Sequence, residues 1–334
     1  YRSYYIQDLF AWFIAYSNFF NHSIFEDYPF AKKIALMELW STLPIYYSPN
    51  YCTYGNTRWE SQWMILNLFK NSEKAQVLNY LRNVKKFENL LPHSITDGRT
   101  YDWLMYVVKN DYSDISSENL FYTSYLSSKS FFKVFREKWA PDSLWLSLIT
   151  YKPEHYRKSG SNRNMWHQDQ LSIEYFAKGD LLLADGGEVK NMLKQYGARP
   201  FMHNVLLFEN PRQSFPYSGL YDTYAAGINK AYNESMVREE EIIQSDAIEV
   251  VSAKVSIRYA NNKPWETINL DYPIEYARTV IFPKDYFIIV DKAKSDGPYV
   301  WRNLWRFSSL NITPSGDLNN DGIVNKSDPA DVGH

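Results

Sequence analysis

Cysteine is all but missing. Cys52 is the one thiol in 334 residues, so no internal disulfide can form and no oxidised framework holds the chain. That leaves export open, because a large core needs no staples. No apolar run of about 18 residues occurs, so the sequence carries no transmembrane helix. Neither charge sign is in excess: 36 basic and 38 acidic residues give a net charge of −2. Nothing global draws a nucleic acid or other polyanion, and an acidic ligand would need a local basic cleft. Blocks of five like charges are absent, and the short acidic run Glu239–Glu241 reads as a solvated face. No internal repeat of about 20–50 residues stands out. There is no initiator methionine and no signal peptide. The chain opens in mid-pattern at YRSYY, as expected of a mature or truncated fragment, with room for a signal peptide upstream.

Aromatic residues, by contrast, make up 17% of the chain, with 28 Tyr, 19 Phe and 11 Trp. Such side chains fill large cores. They also suit surfaces that stack on sugar rings, since a ring face is apolar and a phenol or indole edge can hydrogen-bond. The length suits about two domains. IQDLFAWFIAYSNFF, FAKKIALMELWSTL, WESQWMILNLF and KAQVLNYLRNVKKF carry apolar residues at spacings of three and four, which predicts helices. Turn-like pieces such as EDYP, YYSPN and YGNT separate them, so paired helices follow one another as stacked hairpins or a toroid. From about residue 116 the texture changes. FKVFREKW, LWLSLITY, LSIEYF, DLLLADG, HNVLLF, AIEVVSAKVSIRYA, RTVIFPKDYFIIVDKAK and YVWRNLWRFS predict a large antiparallel β domain, a two-layered sandwich. The fold class expected is α+β multidomain.

The tail GDLNNDGIVNKSD matches a calcium-loop spacing. Asp317, Asn319 and Asp321 take positions 1, 3 and 5, Gly322 takes position 6, Ile323 offers its carbonyl, and Asn325 and Asp328 take positions 9 and 12. Oxygen donors at alternate positions around a glycine turn suit a hard cation such as calcium. The pattern resembles half of a dockerin module, which implies a cohesin-like partner; one loop alone is present.

The stretch WHQDQLSIEYFAKGDLLLADGG poses the central question. His167 and Asp185 stand 18 residues apart, as do Asp185 and His203. Successive strands of one sheet could bring these side chains together. Two imidazoles and a carboxylate suit zinc, with a fourth position left over; they could equally be three unrelated polar positions.

That stretch, HNVLLF after it, and RTVIFPKDYFIIVDKAKSDGPYVWRNLWRF resemble the β domain of the heparinase II/III-like polysaccharide lyases. KVFREKWAPDSLWLSLIT is similar to the strand pair that precedes the motif in that family. The resemblance covers roughly residues 1–310 and is diffuse in the helices. It implies an incomplete (α/α) toroid of helical hairpins over 1–113, a large antiparallel β-sandwich over 114–313, and the calcium loop over 314–334. The family motif runs His-x-His-x-Asp-x-Gly-Ser-Phe. His167, Asp185 and His203 fall on its metal positions, and Asp169 and Ser172 on its Asp and Ser. Met165 stands where the family often has its first, catalytic His, Leu171 where it has Gly, and Ile173 where it has Phe.

The implied chemistry is β-elimination on a uronate polymer, by a secreted or cell-surface lyase acting on an acidic polysaccharide. In the family a tyrosine on the toroid serves as base or acid; YRSYY resembles that segment, which makes Tyr4, Tyr5 and Tyr1 the catalytic candidates. Arg136, Arg163 and Arg199 are candidates to grip a substrate carboxylate through the guanidinium fork, and Trp166 to stack on a sugar. Zinc or a similar divalent metal, and calcium at the tail, are the cofactors expected. The rival reading is a non-catalytic carbohydrate-binding or surface-assembly protein that keeps the fold and the metal; Met165 and the dockerin-like tail favour it. A hydrolase is weaker still, for want of a convincing pair of isolated carboxylates.

Overall fold

The computed structural model describes residues 2–41, 43–44, 64–66, 68–70, 72–77, 123–140, 142–152, 169–185, 203–209, 223–224, 237–263 and 266–307. Three named helices come first: α1 (Arg2–Phe20), α2 (Ile24–Asp27) and α3 (Pro29–Trp40). Ser23 caps α2 through its hydroxyl, which accepts from the Phe25 amide at 3.3 Å. Pro29 starts α3 at the position where a missing N–H costs nothing. The apolar spacing read in the sequence becomes a buried stripe. Phe10, Phe13 and Ile14 of α1 meet Ala31, Ala35, Leu36 and Leu39 of α3, and Met64, Ile65 and Phe69 join them.

Eleven strands follow, all pairings antiparallel, in three sheets among the described residues. The first holds β1 (Phe132–Arg136), β2 (Trp145–Ile149), β3 (Ile173–Ala177) and β4 (Asp180–Leu183) in that order. The second runs β10 (Ile288–Lys294), β9 (Glu266–Phe282), β8 (Glu249–Lys263) and β7 (Val237–Gln244). The third runs β11 (Val300–Asn303), β5 (Leu206–Glu209) and β6 (Thr223–Tyr224). The chain is thus β-rich as far as it is described.

Alternation explains how the layers meet. Phe135, Leu146, Leu148 and Ile173 point from the first sheet into a cluster with Val251, Ala253, Val255, Ile257, Ile274, Tyr276, Val280 and Phe282 of the long sheet, and Leu206 and Phe208 of β5 close it. The opposite face carries Phe132, Val134, Trp145, Ile149 and Phe176 into a second cluster with Leu43 and Tyr151. Trp145 Nε1 reaches the carbonyl of Trp40 at 3.4 Å, and the Trp40 ring stacks on Tyr125 at 4.8 Å. Strands β1 and β2 therefore pack on the long sheet by one face and on the second cluster, beside Trp40 at the end of α3, by the other, and every residue of both is buried.

One expectation is corrected. The acidic run Glu239–Glu241, read as a solvated face, lies on β7: Glu239 and Glu241 are exposed as expected, and Glu240 is the exception. Alternation sends Glu240 inward, where its carboxylate lies 3.0 Å from Lys133 Nζ and 2.8 Å from Lys152 Nζ. These are ion pairs by distance, although no hydrogen-bond geometry is met at either Glu240 oxygen. A buried carboxylate needs such partners, and both come from distant sequence.

Candidate functional site

Three short segments bring the motif residues together. Residues 169–172 lead into β3, Ala184 and Asp185 follow β4, and His203 and Asn204 precede β5. The β3–β4 hairpin makes this possible. Lys178 and Gly179 both take positive φ, 55° and 81°, the conformation a two-residue hairpin turn requires. The turn returns the chain so that the end of β4 lies beside the start of β3.

Ser172, Asp185 and His203 meet there. His203 Nδ1 donates to the Asp185 carboxylate, 2.8 and 2.9 Å from its two oxygens. Ser172 Oγ donates to Asp185 Oδ2 at 2.9 Å and accepts the Asn204 amide at 3.1 Å. Glu174 accepts the Asp185 amide at 3.0 Å. Asn204 Nδ2 donates to the carbonyls of Ile173 and Ala184 at 2.8 and 3.1 Å, and its Oδ1 accepts the Arg306 amide at 2.6 Å. Asp169, Ser172, His203 and Asn204 are fully buried and Asp185 nearly so.

The electrostatics follow from that burial. Burial by itself lowers the pKa of His203, but the Asp185 carboxylate, the hydrogen bond it accepts, and Asp169 reverse this and hold the imidazole above its ordinary value. The pair is thus a charge-assisted one. Asp169 differs: among the described residues no other side chain or backbone group hydrogen-bonds its carboxylate. Burial, with Asp185 adding to it and His203 opposing, pushes its pKa up to about 7.

The expected metal positions separate into two groups. Asp185 and His203 converge; His167 lies outside the described residues. Among the described residues no group of three His, Cys, Asp or Glu side chains is placed to hold a metal ion. A carboxylate and an imidazole are donor types that suit zinc, but Nδ1 of His203 is turned to Asp185, which leaves Nε2 as the ring atom that could meet a cation. Leu171, where the resembled motif has Gly, is buried with φ at +63°. The backbone there keeps the conformation that favours glycine.

Arg136, expected to grip a substrate carboxylate, is buried behind the first sheet. Its Nη2 donates to the Trp40 carbonyl at 3.3 Å and its guanidinium lies 4.7 Å from the centre of the Trp139 ring. The described contacts of Arg136 are internal. Tyr4 and Tyr5 lie in α1 by their backbones, while their side chains fall outside the described residues. So do Tyr1, Arg163, Trp166, Arg199 and the whole loop carrying Asp317, Asn319, Asp321, Ile323, Asn325 and Asp328. One residue of the site is unread in the sequence, Glu174; Asn204 belongs to the His-Asn pair of the resembled family. Glu174 was hidden by strand alternation, and a His-Asn dipeptide before an apolar run is the signal that points to Asn204.

No protein-family model matches the chain, and no curated protein matches it. Among solved structures it is similar to a heparan sulfate lyase from Pedobacter heparinus, at 15% identity and TM-score 0.42, over 79% of this chain and 32% of that one. It is also similar to a heparinase III, at 18% identity and TM-score 0.42, over 78% of this chain and 33% of that one. The chain spans about a third of the length of these structures. Likeness at this level assigns a role to no residue. Among the described residues no helix is long and apolar enough to cross a membrane.

Proposed function

We propose that this chain is part of a secreted or cell-surface polysaccharide lyase that cleaves a uronate-containing polymer by β-elimination. The observation that supports the reading is the convergence of Ser172, Asp185 and His203, all positions of the lyase-like motif, at the ends of β3 and β4 of one sheet and, against the expectation of a single sheet, of β5 of another. The helical hairpins before the sheets are read as the closing part of a toroid, with the sheets as its sandwich partner.

In β-elimination a base takes the proton from C5 of the uronate. The electron pair forms the C4–C5 double bond as the C4–O bond breaks, and an acid protonates the leaving oxygen. Tyr4, Tyr5 and Tyr1 are the proposed acid and base, and Arg163 and Arg199 the proposed partners of the sugar carboxylate, with Trp166 stacking on the ring. His167, Asp185 and His203 are proposed to hold zinc or a similar divalent cation, which would supply fixed positive charge against the buried carboxylates. His203 is held in place for this by Asp185, which Ser172 and the Glu174 contact fix in turn. The loop at 317–328 is proposed to take calcium and to meet a cohesin-like partner.

The test is incubation with heparin, heparan sulfate and alginate, followed through the ultraviolet absorbance of the new double bond. Turnover is expected on at least one polymer, with stoichiometric zinc by elemental analysis that is lost in H203A. Absence of the absorbance signal on every uronate polymer removes the lyase reading; unchanged metal in H203A removes the metal assignment.

A second reading has its own support. Met165 replaces the histidine of the resembled motif, and His203 and Asp185 are sealed from solvent, as suits a cation that holds structure. A non-catalytic carbohydrate-binding protein would bind the same polymers without producing the double bond.

A further inference from the structure

Arg278 lies on β9, remote in sequence from every segment of the site. It is fully buried, and an interior guanidinium is costly unless each of its donors is used. Here four of its five N–H groups are used, in two directions. Nε and Nη2 form parallel bonds to Asp291 Oδ1 and Oδ2 at 2.8 and 2.9 Å. Tyr276 OH donates to the same Asp291 Oδ1 at 2.9 Å. The other edge points at the site: Nη1 donates to the carbonyls of Leu171 and Asn204, both at 2.7 Å. The Trp305 ring covers the guanidinium at 5.3 Å.

Those two carbonyls are not arbitrary. Leu171 is the left-handed residue between Asp169 and Ser172, and Asn204 follows His203 directly. A single planar group thus grips the segment that presents Ser172 and the segment that presents His203, and β10 fixes that group's rotation through Asp291. The geometry points to Arg278 as a positioning residue: it sets the separation of the two segments so that His203 Nδ1 meets Asp185. Lysine cannot replace it, because one ammonium cannot serve a carboxylate in parallel and two carbonyls on the opposite edge. The inference rests on reading His203 and Asp185 as the centre of the functional site, and it adds a residue outside the lyase-like motif on which that centre depends.

The test needs neither polymer nor metal. The His203 ring N–H that donates to Asp185 is followed by proton–nitrogen NMR in the full chain with chelator present, and assigned by its loss in H203Q. R278K and D291N are compared with V280A, a buried truncation two residues along the same strand whose apolar side chain makes no hydrogen bond to either segment. The expected result is a low-field, protected ring N–H in the native protein. It is lost or shifted in R278K and D291N and unchanged in V280A, even where V280A lowers Tm as much. Should R278K not fold, D291N decides alone, because an amide cannot accept both guanidinium bonds. A ring N–H unchanged in every folded variant of the pair reduces Arg278 to a packing role and overturns the proposal; so does its absence from the native spectrum. Lyase activity is a separate readout: an inactive protein with the expected spectra sinks the lyase reading and leaves the positioning role standing.

Discussion

Asp169 is the residue with the most to lose from being charged. It is wholly buried, and among the described residues no other group hydrogen-bonds its carboxylate. Its folded pKa of about 7 lies above the unfolded value near 4. Between those values the folded state binds more protons than the unfolded one, so this group's contribution to stability is present at low pH and lost as pH rises from about 4 to 7. D169N removes it. Denaturant unfolding with chelator present is expected to show the variant gaining on the native protein across that window; parallel curves would refute the burial argument. Leu171, two residues on, shows a different balance. Its left-handed backbone costs about 1–2 kcal/mol, while its side chain fills the core at a worth of about 3 kcal/mol or more. Burial wins, so the position tolerates leucine where the resembled motif has glycine.

At the scale of elements, the β3–β4 hairpin sets the site's spacing, and its turn was legible in the sequence: AKGD between two apolar runs offers glycine at the second central position. A Cβ on Gly179 would meet nothing within 4 Å, so substitution there is opposed by backbone conformation alone. G179A is expected to cost about 1 kcal/mol in denaturant unfolding, and G179N less, because asparagine tolerates positive φ. Equal costs would point instead to a steric effect. The alternating runs FKVFR, WLSLI, IEYFA and HNVLLF announced β1, β2, β3 and β5 because each has a buried face to satisfy. Periodicity misled at β7, where three consecutive glutamates look solvated. What buries Glu240 is Lys133 and Lys152, partners that no local pattern reveals. Arg278 was illegible for the same reason: it meets Leu171 and Asn204 across separations of 107 and 74 residues. His203 and Asp185 stand out in the sequence by motif and equal spacing, and the structure brings those two side chains together. The orphaned state of Asp169, a property of its surroundings, was not legible.

For the whole molecule, the ion cluster of Lys133, Glu240 and Lys152 joins the first sheet to the edge of the long one. Lys133 is completely buried and Lys152 is 16% exposed at its side chain. E240Q leaves the Lys133 charge buried without its counter-ion and is expected to lose about 3 kcal/mol or more by denaturant unfolding. Replacing both members of the deepest pair, K133M with E240L, is expected to recover most of that loss, since Lys152 can turn toward water. A double variant as unstable as E240Q would show that the cluster supplies net stability rather than a cost offset by its own partners.

Strands β1 and β2 of the first sheet are buried on both faces, with no wet side. A strand that slips by one position in a half-exposed sheet can still send its polar side chains to water. A slip here would turn one set of side chains into the wrong oily layer on both sides at once. The two apolar layers on either side of β1 and β2 therefore police each other's assembly, and neither can settle around a misaligned middle.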